Sequence, residues 1–168
     1  MDRHTPTMLA VDNPTGPTVV LSEQARRQIQ AVAATSPVKS IMGFLAGTPP
    51  EKAAEGGYEV RVAHAFEADH LLHSFIPPLW TAATLRDAKR KARQPAGCMA
   101  CVVLGWVASR PGWGIHLTDE DLAFHRGFFR AAWAIFILID PILRKAGIFS
   151  WTDDGERIVK LDYEWQWQ

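Results

Sequence analysis

Two periodicities divide the chain into elements. Thr18-Val19-Val20-Leu21 reads as a short strand, and Ser22 then caps a helix that runs to about Thr35. Within that helix Ala25, Ile29, Val32 and Ala33 recur at helical spacing, while Glu23, Arg26, Arg27 and Gln30 fall on the opposite, solvated face. Pro37 stops it. Ser40–Gly47 is an apolar strand ending in a glycine turn, and Thr48–Gly57, with its prolines and paired glycines, reads as a loop. Tyr58–Phe66 alternates and predicts one strand. Pro77-Pro78 opens a second helix through about Arg93, and a further strand covers 100–107. A third helix spans Asp119 to about Phe129, followed by the wholly apolar strand Trp133–Ile139, closed by Asp140-Pro141. Two last strands, Ala146–Trp151 and Arg157–Trp167, are joined by Asp153-Asp154-Gly155.

Residues 1–17 show neither period and carry Pro6, Pro14, Gly16 and Pro17, so they read as a flexible N-terminal arm ahead of one domain over 18–168. The short run Met8-Leu9-Ala10-Val11 within the arm is either tail or a segment that adds to a sheet edge or a partner. There is no internal repeat. A chain of 168 residues is long enough to bury a continuous core without staples.

Charge narrows the function classes. Eighteen basic residues balance eighteen acidic ones, so no global field recruits nucleic acid or an anionic membrane. The basic cluster Lys89-Arg90-Lys91 with Arg93 sits at a helix C-terminus, where it complements the helix dipole. No apolar run approaches the roughly 20 residues that span a bilayer, and no charged leader precedes a signal-type apolar core. The expectation is a cytoplasmic protein with no membrane insertion and no nucleic-acid partner. Cys98-x-x-Cys101 leads into an apolar strand and lacks the second pair of a zinc ribbon, so it reads as two reduced core or strand-end thiols, with a redox or metal role as the alternative.

The densest chemistry lies in Gly105-Trp106-Val107-Ala108-Ser109-Arg110-Pro111, followed by Thr118 and Asp121. This stretch resembles the zinc signature of the JAMM/MPN isopeptidase family, in which Gly-Trp is followed by His-x-His-Pro, six residues, Ser, two residues and Asp. Two other landmarks support the resemblance. Ser40–Gly47 is similar to the family strand that begins with the catalytic Glu, with Gly43, Leu45 and Gly47 fitting, and Ile137-Leu138-Ile139-Asp140-Pro141 is similar to its apolar strand ending in Asp-Pro. The resemblance covers about 18–165. It implies an α/β architecture of the MPN (JAMM-type) fold, a curved mixed β-sheet flanked by helices.

The same alignment removes the family's chemistry. In active members two His and the Asp hold zinc, the Glu activates a water, and the Ser assists the tetrahedral intermediate. Here the Glu position is Ser40, the histidine positions are Ala108 and Arg110, the Ser is Thr118, and Asp121 alone remains a ligand type. A methyl group cannot coordinate zinc, and a guanidinium has no lone pair to donate. The implied state is a catalytically degenerate, non-enzymatic member with no metal and no cofactor. Thr118-x-x-Asp121 has a second reading as a capping box at the start of the third helix. If Asp121 stays buried, Arg110 is the residue placed to neutralise it; the alternative is an Arg110 that points to solvent or to a partner. A replacement metal set would have to combine His116 with His64, His70 or His73, and none of these has the (i, i+4) spacing that marks a metal pair on one helix.

What the resemblance implies for function is a scaffold subunit of a multiprotein assembly, partnered by another MPN-type subunit, some other protein, or a second copy of itself. A module that binds a peptide or ubiquitin-like tail without cleaving it is the alternative. An enzyme with a rearranged nucleophile or metal set is the third reading, with Cys98 and Cys101 as its strong nucleophiles. Candidate interface residues are Trp113 and the alternating Tyr163, Trp165 and Trp167, which the period-two pattern puts on one face of a terminal strand, held against this domain or against a partner.

Overall fold

The structure, a computed structural model, describes residues 16–54, 56–68, 82–95 and 98–167. Its elements are β1 (Thr18–Leu21), α1 (Glu23–Ala34), β2 (Ile41–Gly47), β3 (Glu51–Lys52), β4 (Tyr58–Val62), β5 (His64–Glu67), α2 (Ala82–Ala92), β6 (Val102–Ser109), α3 (Asp119–Phe128), β7 (Ile135–Asp140), β8 (Lys145–Trp151) and β9 (Ile158–Lys160). They form a mixed six-stranded sheet ordered β5-β2-β6-β7-β8-β9 and a small mixed sheet ordered β1-β4-β3. The architecture is α/β. No helix among the described residues is long and apolar enough to cross a membrane.

The central pair, β6 and β7, is parallel, and every other pairing in the large sheet is antiparallel. β7 is buried at all six positions, as expected of a strand covered on both faces. Pleating sends alternate residues to opposite faces, and the two faces have different chemistry. One is aliphatic: Leu45, Leu104, Val107, Ile135, Ile137, Ile139 and Ile148 pack under Ala25, Ile29 and Ala33 of α1. The other is aromatic: Phe44, Trp106, Phe136 and Phe149 pack with Ala88 of α2 and with Phe124 and Phe129 at α3. Trp106 stacks on Phe136 with centroids 4.6 Å apart, and Phe136 continues the stack to Phe149 at 5.0 Å. Gly105 makes the central pairing possible, since a Cβ there would lie 1.6 Å from the Ile135 carbonyl oxygen.

Ser22 caps α1 by accepting from the Ala25 N–H at 2.9 Å, as its sequence position predicts. Three elements depart from the sequence reading. The predicted strand Tyr58–Phe66 is two strands, because the chain steps from the small sheet to the large one at Ala63, whose N–H donates to the Ala46 carbonyl at 2.9 Å. The Thr48–Gly57 loop contains the two-residue β3, which pairs with β4. The predicted strand Arg157–Trp167 keeps ladder pairing only as β9. After the Leu161 N–H bonds Ile148 O, the chain leaves the ladder.

That tail nevertheless retains period two. Leu161, Tyr163, Trp165 and Trp167 are half-buried against the aliphatic cluster, while Asp162, Glu164 and Gln166 are exposed. Gln166 anchors it to α1, its side-chain oxygen accepting from Arg26 at 3.3 Å and its backbone oxygen from Gln30 at 3.4 Å. Arg144 lies over the Trp167 ring at 5.3 Å. The aromatics are held by this domain's own core and helix. Of the expected N-terminal arm, 1–15 lies outside the described residues, as does the start of the second helix at Pro77-Pro78. Pro17 is buried, and Gly16 abuts Leu161.

Trp165→Ala should therefore lower the unfolding free energy by about 1–3 kcal/mol, less than a fully buried Trp would lose. Urea denaturation of the isolated chain checks this. An unchanged midpoint would show that the tail carries no core packing.

Candidate functional site

The register gathers the signature residues at one end of the large sheet. β6 ends at Ser109 opposite Ile41, so Ser40 lies level with Arg110, and Arg110 continues the β6–β7 pairing by donating its N–H to Ile139 O at 2.9 Å. Ala108 is not in the loop, where the sequence reading ended its strand at 107. It is the penultimate residue of β6, fully buried on the aromatic face. Ser40 is exposed. Thr118 and Asp121 start α3 on the same side.

Asp121 is 4% exposed and Arg110 meets it with both guanidinium branches. Nη1 donates to Oδ2 at 2.7 Å, and Nη2 donates to Oδ1. Oδ2 also accepts the Thr118 N–H at 3.0 Å, while Thr118 Oγ1 accepts the Asp121 N–H at 3.2 Å. The capping box and the ion pair thus share one carboxylate. A fork-to-fork pair of this kind fixes orientation as well as charge, and it satisfies an acid that burial would otherwise penalise.

This donor set does not fit a zinc ion. Three protein ligands are needed, and the positions offer a methyl, a cation and a carboxylate whose two oxygens are already bonded to that cation. His116 is exposed nearby, its carbonyl accepting weakly from Arg110 at 3.5 Å. His64 pairs with Ala46 towards the far end of β2 and is not brought to it. His70 and His73 lie outside the described residues. Among those described, no group of three His, Cys, Asp or Glu converges.

Two polar residues that shape this region carry no role in the sequence reading. Asp140 is fully buried at the end of β7, and four backbone N–H groups converge on its carboxylate. Gly112, Ile142 and Leu143 donate to Oδ1 at 2.9, 3.0 and 3.0 Å, and Gly114 donates to Oδ2 at 2.7 Å. Burial alone would push this carboxyl upward. The four donors outweigh it and hold the group below the usual carboxylate range. They also tie the loop after β6 to the loop after β7. Gly112 and Gly114 supply the positive φ, 81° and 72°, that turns their N–H groups inward. The visible signal was Asp-Pro at a strand end facing Pro-Gly-x-Gly.

His125 is the second. It lies one turn beyond Asp121 on α3, fully buried among Trp106, Phe129, Phe136 and Trp151. Its Nδ1 accepts the Trp106 indole N–H at 3.1 Å, which requires the proton on Nε2 in the neutral ring. Nε2 has no well-formed hydrogen bond; the Ala134 backbone is the polar group close enough to favour the charged form. Desolvation dominates and lowers its pKa to about 4. The (i, i+4) pairing of Asp121 with His125 on one helical face was legible in the sequence as a buried polar stripe.

Above this floor the two tied loops present apolar side chains to solvent. Trp113 is 74% exposed, Ile142 59% and Leu143 48%, with Leu117 beside them in sequence at 36%. Tyr163, Trp165 and Trp167 are not part of this surface, being packed on the opposite, aliphatic face of the sheet.

Comparison with known proteins adds fold and no chemistry. No family model and no curated protein matches the chain. Solved structures do. The solution structure of protein DSY2949 from Desulfitobacterium hafniense superposes with a TM-score of 0.56 at 17% identity, covering 86% of this chain and 90% of that one. The solution structure of a protein from Salinibacter ruber gives 0.53 at 17%, covering 86% and 88%. The chain shares their overall fold over most of its length.

The reduced-thiol reading of Cys98 and Cys101 is corrected. The two form a disulfide, across a tight turn in which the Cys101 N–H donates to Cys98 O at 2.9 Å. The pair stands at the start of β6, the end opposite Arg110. Three-residue separation suits this closure because the turn brings the Cα atoms to 5.2 Å.

Two outcomes follow from these geometries. Arg110→Ala should destabilise the fold by about 2–4 kcal/mol, the Thr118 N–H retaining part of the carboxylate's satisfaction. A double-mutant cycle with Asp121→Ala measures the coupling, and strict additivity would mean the pair contributes nothing. For His125 the folded pKa of about 4 lies below the ordinary 6.5, so the unfolded chain binds the proton first as pH falls. Stability is complete above about 6.5 and declines toward pH 4, by about 3 kcal/mol in total. His125→Gln keeps an acceptor for Trp106 and should remove this component from urea midpoints measured across that window.

Proposed function

We propose that this chain is a degenerate member of the JAMM/MPN family that has exchanged zinc for an internal ion pair and serves as a non-catalytic interaction subunit. The observation that carries the reading is the forked Arg110–Asp121 contact. A guanidinium from the second histidine position neutralises the remaining ligand carboxylate, so the loop keeps a closed, charge-balanced geometry with no metal in it. Support also comes from the spatial order: Ser40, Ala108, Arg110, Thr118 and Asp121 converge at one sheet end, as the resemblance requires of a former site. The position that carries the family's general base holds Ser40, whose exposed hydroxyl cannot take that role.

The interaction role rests on the apolar side chains over the site. Trp113, Ile142 and Leu143 are held out by loops whose backbone is fixed through Asp140, and large exposed apolar groups on a rigid support mark protein contacts. The partner is another protein subunit in the cytoplasm, of MPN type or a second copy. The same surface would suit a peptide or ubiquitin-like tail bound without cleavage, because its loops follow β6 and β7 at the end of the sheet where Arg110 meets Asp121.

Protein purified without chelator should contain no stoichiometric zinc and should not cleave isopeptide-linked ubiquitin-like substrates. Zinc at one equivalent that disappears in Asp121→Ala would overturn the assignment. The converse variant Ser40→Glu/Ala108→His/Arg110→His should gain zinc if the positional matching is right. Trp113→Ala with Leu143→Asp should leave the melting temperature unchanged and abolish self-association or partner capture.

A further inference from the structure

The opposite end of the sheet holds a cavity of about 450 Å³. Its wall includes Cys101, with Lys89 and Arg93 from the end of α2, Trp133, and the Pro49-Pro50 rim. Lys89 is in the last turn of α2 and Arg93 directly follows its last residue; both line the cavity and both are exposed. Neither makes an ion pair among the described residues, although Arg90 and Lys91 on the same helix both bond Asp87. Cys101, the disulfide half that lines this space, is only 1% exposed overall.

We infer that this cavity is a thiol–disulfide exchange site for a small thiol that carries carboxylates. Two cations without an ion-pair partner among the described residues, and an indole, at a disulfide half match an acidic thiol: its carboxylates meet Lys89 and Arg93, and its sulfur meets Cys101. The incoming thiol gives up its proton and its thiolate bonds to Cys101 Sγ. The Cys98–Cys101 bond breaks, its electron pair passing to Cys98 Sγ, which takes a proton. A second molecule of the thiol then attacks the sulfur of the bound one, releasing Cys101 as a thiol and leaving the disulfide of the small thiol. Two thiols are oxidised for each protein disulfide reduced. The nearby positive charge favours the thiolate forms on which every step depends. The site is independent of the zinc-free loop and does not rest on the function proposed for it.

Full-length chain is reacted with reduced glutathione, an acidic thiol, or with uncharged 2-mercaptoethanol, then quenched with N-ethylmaleimide and read by intact mass. Both thiols should open the pair. Lys89→Ala/Arg93→Ala should slow the glutathione reaction about tenfold while changing the 2-mercaptoethanol rate less than about twofold. Cys98→Ser, which leaves Cys101 alone, should form a one-to-one adduct with oxidised glutathione at Cys101. Equal effects of the charge variant on both thiols, no adduct at Cys101, or a pair that glutathione does not open would each overturn the inference.

Discussion

The parallel pairing of β6 with β7, covered on both faces, is the constraint from which the rest of the molecule follows. A strand pair with helices on both sides has room only for close-packed apolar side chains, and every polar group must leave at its ends. Gly105 lets the two backbones meet. Trp106, stacked on Phe136, fixes one face, and the branched aliphatics Val107, Ile135 and Ile137 fix the other. Arg110 follows the last residue of β6 and Asp140 ends β7, so a cation and an anion emerge side by side where the sheet stops.

Both buried carboxylates at that end face the same desolvation problem and answer it differently. Asp121 takes a guanidinium and a cap N–H; Asp140 takes four backbone N–H groups and no cation. The first arrangement cancels charge, so it is self-contained. The second keeps a negative charge and spends it on ordering two loops, whose glycines turn their amides toward it. Together they make a rigid platform that displays Trp113, Ile142 and Leu143. His125 completes the floor as a neutral acceptor for Trp106, a buried polar contact within an otherwise aromatic layer.

The molecule is divided along its strands. One end of the sheet carries the ion pair and the exposed apolar loops, and the other carries the disulfide and the cationic cavity. The C-terminal tail belongs to neither. It lies across the aliphatic face, adding half-buried aromatics to a cluster that α1 only partly covers.

Much of this was legible in residue order. The caps at Ser22 and Thr118, the continuous apolar run of β7 and the absence of zinc donors at 108 and 110 are local properties, set by residue type and spacing alone. The forked pair was also within reach, because Arg110 and Asp121 bracket one loop. What required the tertiary structure were relations between distant segments. Alternation cannot show that Tyr58–Phe66 changes sheets at Ala63, since each half is a good strand. Nor can it tell whether Tyr163, Trp165 and Trp167 pair in a ladder or lie across a helix, because an extended chain has period two in either case. The convergence of Gly112, Gly114, Ile142 and Leu143 on Asp140, and of Lys89, Arg93 and Trp133 around Cys101, exists only once the sheet has set the spacing between their loops.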